Sequence, residues 1–269
     1  MRSWLQNILL LLIVGSLSAC QLIAEGDRLI EVPIAVEGES RHVLVEFTGF
    51  RCVNCPKASA EAESLKQSYG DRLIVVAMHP ATNPFTQGAA QYDYTCEAAD
   101  TYYTLCGGTA ATPMPTGCLD LAEEQGSYLS DYSEWPALVA ARMAQPATAH
   151  LSTTLQNTAD EQAVQVRVTA YAGEPITSRM MAWIVEDSVP GAQALPDGTV
   201  DMHYYHRHML RGAVGDPMGE ELPLSAAPKE RQLTAVIPDK CNRKYCSIVV
   251  ALTDSRGAII AAQQTKLTN

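Results

Sequence analysis

Two cysteines separated by two residues, Cys52 and Cys55, have the spacing in this sequence that best suits thiol–disulfide chemistry. The pair follows a predicted strand and precedes Pro56, a residue that fits the first turn of a helix. Free N–H groups and the positive helix end stabilise a thiolate at Cys52, and Arg51 adds a positive charge, so its pKa is expected below the free value of about 8.5. Because two intervening residues let the second thiol close on the first, we expect Cys52 to attack a disulfide and Cys55 to resolve the adduct.

The same spacing also fits an inert structural disulfide or half of a zinc site. Zinc would need a second Cys-x-x-Cys or a His pair at suitable spacing, so no metal site and no cofactor is predicted. His203, His206 and His208 lie near methionines, which leaves copper or metal delivery as a minor alternative. Along a strand only His206 and His208 share a face, so these histidines are predicted as ordinary strand residues.

The elements that position the cysteine pair form a predicted βαβ unit. Residues 42–48 are a β-branched and apolar run of strand length, and residues 73–78 are fully apolar. Between them, residues 57–69 are rich in helix formers and end at Gly70, where a helix C-cap is expected. A strand, a helix and an apolar strand in this order predict parallel pairing in a sheet that is covered on both faces.

The pattern changes after residue 146. Short strand candidates follow one another with Gly, Pro and Asp-rich turns and no helix between them, which predicts an antiparallel sandwich. These candidates are residues 164–171, 179–185, 203–210, 233–237, 247–252 and 258–263.

Residues around the cysteine pair resemble the thioredoxins. Residues 43–47, Val-Leu-Val-Glu-Phe, look like the strand that leads into the Cys-x-x-Cys motif, and residues 114–116, Met-Pro-Thr, look like the segment that faces it. The resemblance implies that Glu46 handles a proton at the resolving cysteine. It also implies that Pro115, in cis, and Thr116 receive the backbone of a substrate, with Arg51 beside them.

A closer likeness extends over nearly the whole chain after the signal. It rests on residues 47–49 before Cys-Val-Asn-Cys-Pro, on 77–79, on 115–117 and on 206–211. These segments resemble the family of thioredoxin-like outer-membrane lipoproteins. The resemblance implies an α/β plus all-β fold, with a thioredoxin-like domain at 27–146 and an antiparallel, immunoglobulin-like β-sandwich at 147–269.

The N-terminus carries the pattern of a lipoprotein signal. Residues 1–19 have a positive start, an apolar middle and a Leu-Ser-Ala ending directly before Cys20, which resembles a bacterial lipobox. This order predicts a signal peptide at 1–19, acylation of Cys20 and a tether at 20–26, and Gln21 favours the outer membrane. The formal net charge of −11 gives no basic footprint, so nucleic acid is excluded as a partner.

The other cysteines are candidates for structural disulfides. Cys241 and Cys246 are predicted to close a hairpin. If residues 97–105 form a helix, Cys96 and Cys106 lie too far apart to bond, and Cys106 would pair with Cys118. If the segment is a loop, Cys96 and Cys106 close it, and this pairing is slightly preferred.

Together these features predict a cell-envelope lipoprotein of a Gram-negative outer membrane, held there by its N-terminal lipid. The leading hypothesis is a thiol–disulfide oxidoreductase, a reductase or isomerase, whose partners are the thiols or disulfides of envelope proteins. The alternative is a non-enzymatic surface or binding lipoprotein in which the same fold is a scaffold.

Overall fold

A computed structural model describes residues 36, 38–88, 91 and 94–267. The predicted signal peptide, Cys20 and the tether at 20–26 lie outside the described residues. None of the helices in the described part of the chain is long and apolar enough to cross a membrane. Its helices are α1 Cys55–Tyr69, α2 Glu97–Leu105 and α3 Trp135–Met143. Its strands are β1 His42–Phe47, β2 Leu73–Met78, β3 Thr116–Leu119, β4 Ala149–Asn157, β5 Ala163–Ala172, β6 Arg179–Glu186, β7 Val189–Ala194, β8 Val200–His206, β9 Met209–Ala213, β10 Glu220–Glu221, β11 Lys229–Val236, β12 Cys246–Thr253 and β13 Ile259–Lys266.

The predicted βαβ unit is present and carries the cysteine pair. Strands β1 and β2 pair in parallel with Leu44 opposite Val75, and β3 adds an antiparallel edge to β1. Helix α1 connects the parallel strands, with Pro56 in its first turn and Gly70 just past its end. Gly70 has a φ of +57°, in the left-handed region that glycine adopts without a steric cost.

Both faces of this parallel sheet are buried. Val45 and Phe47 pack into a cluster that also contains Tyr102 of α2. The alternate residue Leu44 packs on the opposite face, in a cluster with Trp135 of α3. Because successive strand residues point to opposite faces, the uninterrupted apolar run of β1 is what a doubly covered sheet requires.

In the second half of the chain, two sheets pack against each other. Strands β13, β12, β6 and β9 belong to the larger sheet, and β11, β5 and β4 form a separate three-stranded sheet. Val166 of β5, Ile184 of β6 and Val250 of β12 share one buried core. The antiparallel pairing confirms the coarse fold class, α/β followed by β structure.

The larger sheet continues across the predicted domain boundary at residue 146. Strand β9 lies beside β2 in parallel, with Met209 opposite Ala77, and the Ala77 N–H donates to the His208 carbonyl at 2.7 Å. The described residues group as one compact unit. The division into segments 27–146 and 147–269 stays a prediction about independent folding.

Candidate functional site

The cysteine pair lies where β1 gives way to α1. Cys52 and Cys55 are joined by a disulfide, and Cys55 is the first residue of the helix. The Cys55 N–H donates to the Cys52 sulfur at 3.1 Å. A helix N-terminus therefore faces the sulfur that sequence reasoning chose as the attacking atom, and this contact would stabilise its thiolate.

Both residues of the disulfide are buried. Cys52 is 2% exposed and Cys55 is 1% exposed. The hairpin formed by β7 and β8 contacts the loop that holds them: the Gln193 side-chain amide donates to the Cys52 carbonyl at 3.0 Å, and the Ala194 N–H donates to the Phe50 carbonyl at 2.8 Å. A segment from the second half of the chain thus holds the motif in a closed position.

Glu46 of β1 is a buried acid beside this motif. It is 2% exposed, and the Ser59 hydroxyl of α1 donates to its carboxylate at 2.6 Å. Burial raises the pKa of Glu46 to about 7, against the lowering effect of hydrogen bonds from Ser59 and Thr48. A carboxyl group with this pKa can gain or lose a proton near neutral pH.

The predicted substrate-binding residues have varied surroundings. The Met114–Pro115 peptide is cis, and Met114 belongs to the buried cluster that contains both bonded cysteines. The Thr116 hydroxyl donates to the Ser130 carbonyl at 3.1 Å, so it is engaged within the fold. Arg51 is exposed, and its guanidinium donates to the Gln87 carbonyl at 3.3 Å. The catalytic and substrate-binding roles of these residues stay predictions.

A cavity of about 290 Å³ lies against α1. Its lining includes side chains that the sequence did not predict to be neighbours. Glu46, His79, His206 and His208 line it, and His79 is 2% exposed. Neither ring nitrogen of His79 has a hydrogen-bond partner within the described residues. Burial holds the pKa of His79 well below its usual range, so the ring is neutral at pH 7.

The other two histidines of this cavity have partners. Burial lowers the pKa of His206 to about 4, and its Nε2 lies 3.2 Å from the Ala192 carbonyl. His208 Nε2 lies 3.2 Å from a Glu63 carboxylate oxygen.

His203 is exposed on β8. His206 ends β8 and His208 follows it with a φ of +54°, so the prediction that both lie in one strand was wrong for His208. Within the part of the chain that the structure describes, no group of three His, Cys, Asp or Glu side chains is arranged to hold a metal ion.

The preferred pairing of Cys96 with Cys106 was wrong. Residues 97–105 form helix α2, and the two cysteines are its N-cap and C-cap residues. At about 1.5 Å of rise per residue, they lie roughly 15 Å apart along the helix axis. Cys106 instead contacts Cys118 through a hydrogen bond between the thiols, which raises the pKa of Cys118. Both Cys106 and Cys118 are free and buried.

Cys241 and Cys246 are adjacent but not bonded. A hydrogen bond from the Cys246 thiol, together with one from Arg211, lowers the pKa of Cys241 to about 7. The Arg211 Nε lies 3.2 Å from the Cys241 sulfur and 3.1 Å from a Glu186 carboxylate oxygen. The disulfide predicted between these two cysteines stays a prediction, and their contact allows it.

Comparison with known proteins identifies the family. The sequence model of the family described as outer membrane protein Omp28 matches residues 99–269. Because this match spans more than half of the chain, the protein belongs to the Omp28 outer membrane protein family. The predicted localisation, a lipoprotein of the outer membrane, is thereby confirmed. Acylation at Cys20 itself stays a prediction.

This membership corrects the resemblance drawn from the cysteine motif. The chain was identified as a thioredoxin-like outer-membrane lipoprotein, and that identification was wrong, since the matching family is Omp28. The segments that carried the resemblance are a few residues long and widely separated in the sequence, whereas the family match extends over 99–269. None of the curated proteins compared matches the chain.

Two solved structures share the fold over most of the chain. HBP35 of Porphyromonas gingivalis is 18% identical, with a TM-score of 0.67 over 86% of this chain and 76% of that one. A protein from Agrobacterium tumefaciens is 13% identical, with a TM-score of 0.52 over 87% of this chain and 100% of that one. A domain of the outer membrane lipoprotein Omp28 from Porphyromonas gingivalis is 20% identical over 45% of this chain and 89% of that one, with a TM-score of 0.33. At these identities the first two likenesses concern the fold alone.

Proposed function

We propose that this protein is a non-enzymatic binding lipoprotein of the outer membrane, in which the Cys52–Cys55 disulfide stabilises a scaffold. The observation that carries the proposal is the closed and buried position of the disulfide beneath the β7–β8 hairpin. Membership of the Omp28 family supports the same function, since it concerns an outer membrane protein and implies no redox chemistry.

Access to sulfur is the physical reason for this choice. Thiol–disulfide exchange requires an attacking thiolate to approach a sulfur atom from outside the protein. Here the two cysteines are 2% and 1% exposed, and exposure governs cysteine reactivity together with pKa. Opening the motif would break the hydrogen bonds from Gln193 and Ala194 to the loop.

A second candidate, a thiol–disulfide oxidoreductase, is supported by a different observation. The Cys52 sulfur accepts a hydrogen bond from the first N–H of α1, and Glu46 in the same region has a pKa of about 7. In this function Cys52 would attack an envelope client, Cys55 would resolve the adduct, and Glu46 would handle the proton. The β7–β8 hairpin would have to move first.

Single serine variants of the two cysteines separate these functions. For a scaffold, Cys52→Ser and Cys55→Ser break the same bond, so both lose about 2 kcal/mol of stability for a four-residue loop. Neither should accumulate adducts on non-reducing gels of the native envelope, and Cys118→Ser serves as a control for loss of a buried thiol. Client adducts that form with Cys55→Ser but not with Cys52→Ser would instead establish the oxidoreductase.

Attachment through Cys20 is part of the proposal and has its own test. Cys20→Ala removes the thiol that an acyl chain needs, and acylation is the anchor that the sequence offers. We expect the variant in the soluble fraction after a high-salt wash of membranes, whereas the unaltered chain pellets. A variant that still pellets would show a different anchor.

A further inference from the structure

A second cavity, of about 530 Å³, lies beside β12 and β13 and is lined by Lys66 near the C-terminal end of α1, the opposite end from Cys55. Its volume is in the range of roughly 300–1,000 Å³ that is usual for small-molecule sites. Four cationic side chains line it, and two carboxylates accompany them. The cations are Arg41, Lys66, Lys244 and Lys266, and the acids are Asp71 and Asp187.

The four cations come from separate parts of the fold. Arg41 precedes β1, Lys66 lies in the last turn of α1, Lys244 lies in the turn before β12, and Lys266 ends β13. Their convergence is therefore a product of tertiary structure and not of a basic run in the sequence. The formal net charge of the chain is −11, so this local excess of positive charge is opposite in sign to the charge of the whole protein.

None of these cations has an ion-pair partner within 4 Å in the described part of the chain. Lys66 donates instead to the neutral Leu73 carbonyl at 3.1 Å, and Arg41 donates to the Gln263 side-chain oxygen at 2.7 Å. Burial lowers the pKa of Lys66, which reflects the cost of holding its charge away from water. An anion in the cavity would offset that cost.

The cavity also offers neutral hydrogen-bonding groups. Ser247 and Gln264 line it and bond to each other at 2.8 Å, which positions both side chains. His208 lines it as well, and burial lowers the pKa of that imidazole, so it adds no charge at pH 7. Among the lining side chains the excess is two positive charges, four cations against two carboxylates, and the Glu63 carboxylate lies outside the lining beside His208.

We infer that this cavity binds a phosphate-bearing ligand. An excess of two charges matches a phosphomonoester dianion better than a carboxylate, which carries one. Lysine ammonium groups and an arginine guanidinium are the usual protein partners of phosphate oxygens. The inference rests on the proposed binding function and names the chemistry of its ligand. The phosphate could belong to a soluble compound or to a lipid headgroup.

Two probes distinguish these sources in the mature chain, residues 20–269 with Cys20→Ala, so that neither an acyl group nor the apolar signal segment drives membrane binding. Inorganic phosphate is titrated calorimetrically at low ionic strength. Vesicles of phosphatidylcholine, with and without phosphatidic acid, are tested by flotation. Binding to inorganic phosphate indicates a soluble ligand, and binding confined to phosphatidic acid vesicles indicates a headgroup. Either binding should weaken as salt is added.

A charge-matched pair of double variants tests the site. Lys244→Met with Lys266→Met removes two exposed cations of the cavity, so folding is preserved. We expect affinity to fall roughly tenfold or more, since two charge-assisted contacts are lost. Lys57→Met with Lys229→Met removes two cations elsewhere and should leave affinity unchanged.

Binding of neither probe, or equal loss of affinity in both double variants, would overturn the inference. The outcome is independent of the cysteine experiment. If neither phosphate probe binds, the scaffold function still stands. If Cys55→Ser forms client adducts, the scaffold function fails, but the phosphate titration still tests the cavity.

Discussion

Two pairs of cysteines lie close together in the sequence, and they differ in bonding and burial. Cys52 and Cys55 are bonded, buried and covered by a hairpin. Cys241 and Cys246 are free and adjacent, and Cys241 is only partly buried beside Arg211. The pair with the redox-type spacing is thus buried at both cysteines, whereas the pair predicted as structural has one buried cysteine, Cys246, and one partly exposed cysteine, Cys241. The surroundings of a sulfur atom, more than the spacing of two cysteines, decide its chemistry.

Among the variants that test this comparison, Arg211→Met should have the largest effect on stability. The Arg211 and Glu186 side chains are 4% and 5% exposed, and Arg211→Met leaves the carboxylate buried without its cation. We expect a loss of about 3–5 kcal/mol in the free energy of unfolding, measured by urea denaturation. Iodoacetamide labelling of Cys241 at pH 7 should also slow, because the variant loses a hydrogen bond that lowers the thiol pKa.

Arg256→Met is the matched control, since its ion pair with Asp254 involves an arginine side chain that is 85% exposed. Exposed pairs contribute about 0–1 kcal/mol. Equal destabilisation by the two variants would mean that Arg211 does not define the environment of Cys241.

The acid beside the closed pair gives the next largest effect. Glu46 has a pKa of about 7 in the folded protein against an ordinary value of 4.5. Between these values the folded state holds a proton that the unfolded state has lost, so stability falls as pH rises from about 4.5 to 7 and is level above it. The difference is about 3 kcal/mol at 1.36 kcal/mol per pH unit.

Glu46→Gln should remove this component of the pH dependence. We expect the stability of the variant relative to the unaltered chain to improve by about 3 kcal/mol between pH 4 and pH 8. Glu134→Gln, an exposed acid at the start of α3, is the control. A pH profile that is identical in the unaltered chain and in Glu46→Gln would show that the carboxyl ionises normally.

The smallest effect concerns the hairpin that closes the pair. Gln193→Ala removes the amide that donates to the Cys52 carbonyl, and a single hydrogen bond contributes about 1 kcal/mol. If this contact keeps the motif closed, a soluble thiol should reduce the Cys52–Cys55 disulfide faster in the variant. Gln232→Ala on exposed β11 is the control, and unchanged reduction in Gln193→Ala would show that the hairpin does not limit access.

The sequence alone determined the features that depend on neighbours along the chain. Apolar runs predicted β1 and β2, helix formers and Gly70 predicted α1 and its end, and the motif was correctly placed at the start of that helix. The turns predicted the antiparallel β structure of the second half, but not strands β4, β7 and β10 or the break between β8 and β9. These patterns repeat every two to four residues, so they can be recognised in a short stretch of sequence.

Tertiary structure decided what surrounds those elements. The hydrogen bond that closes the motif joins residues 141 positions apart. The sequence left both a helix and a loop open between Cys96 and Cys106, and the segment packs as a helix. The buried position of His79 and the convergence of four cations on one cavity also arise from contacts between distant strands and helices. No local pattern encodes such contacts, because burial and charge neutralisation depend on which distant surfaces meet when the chain packs.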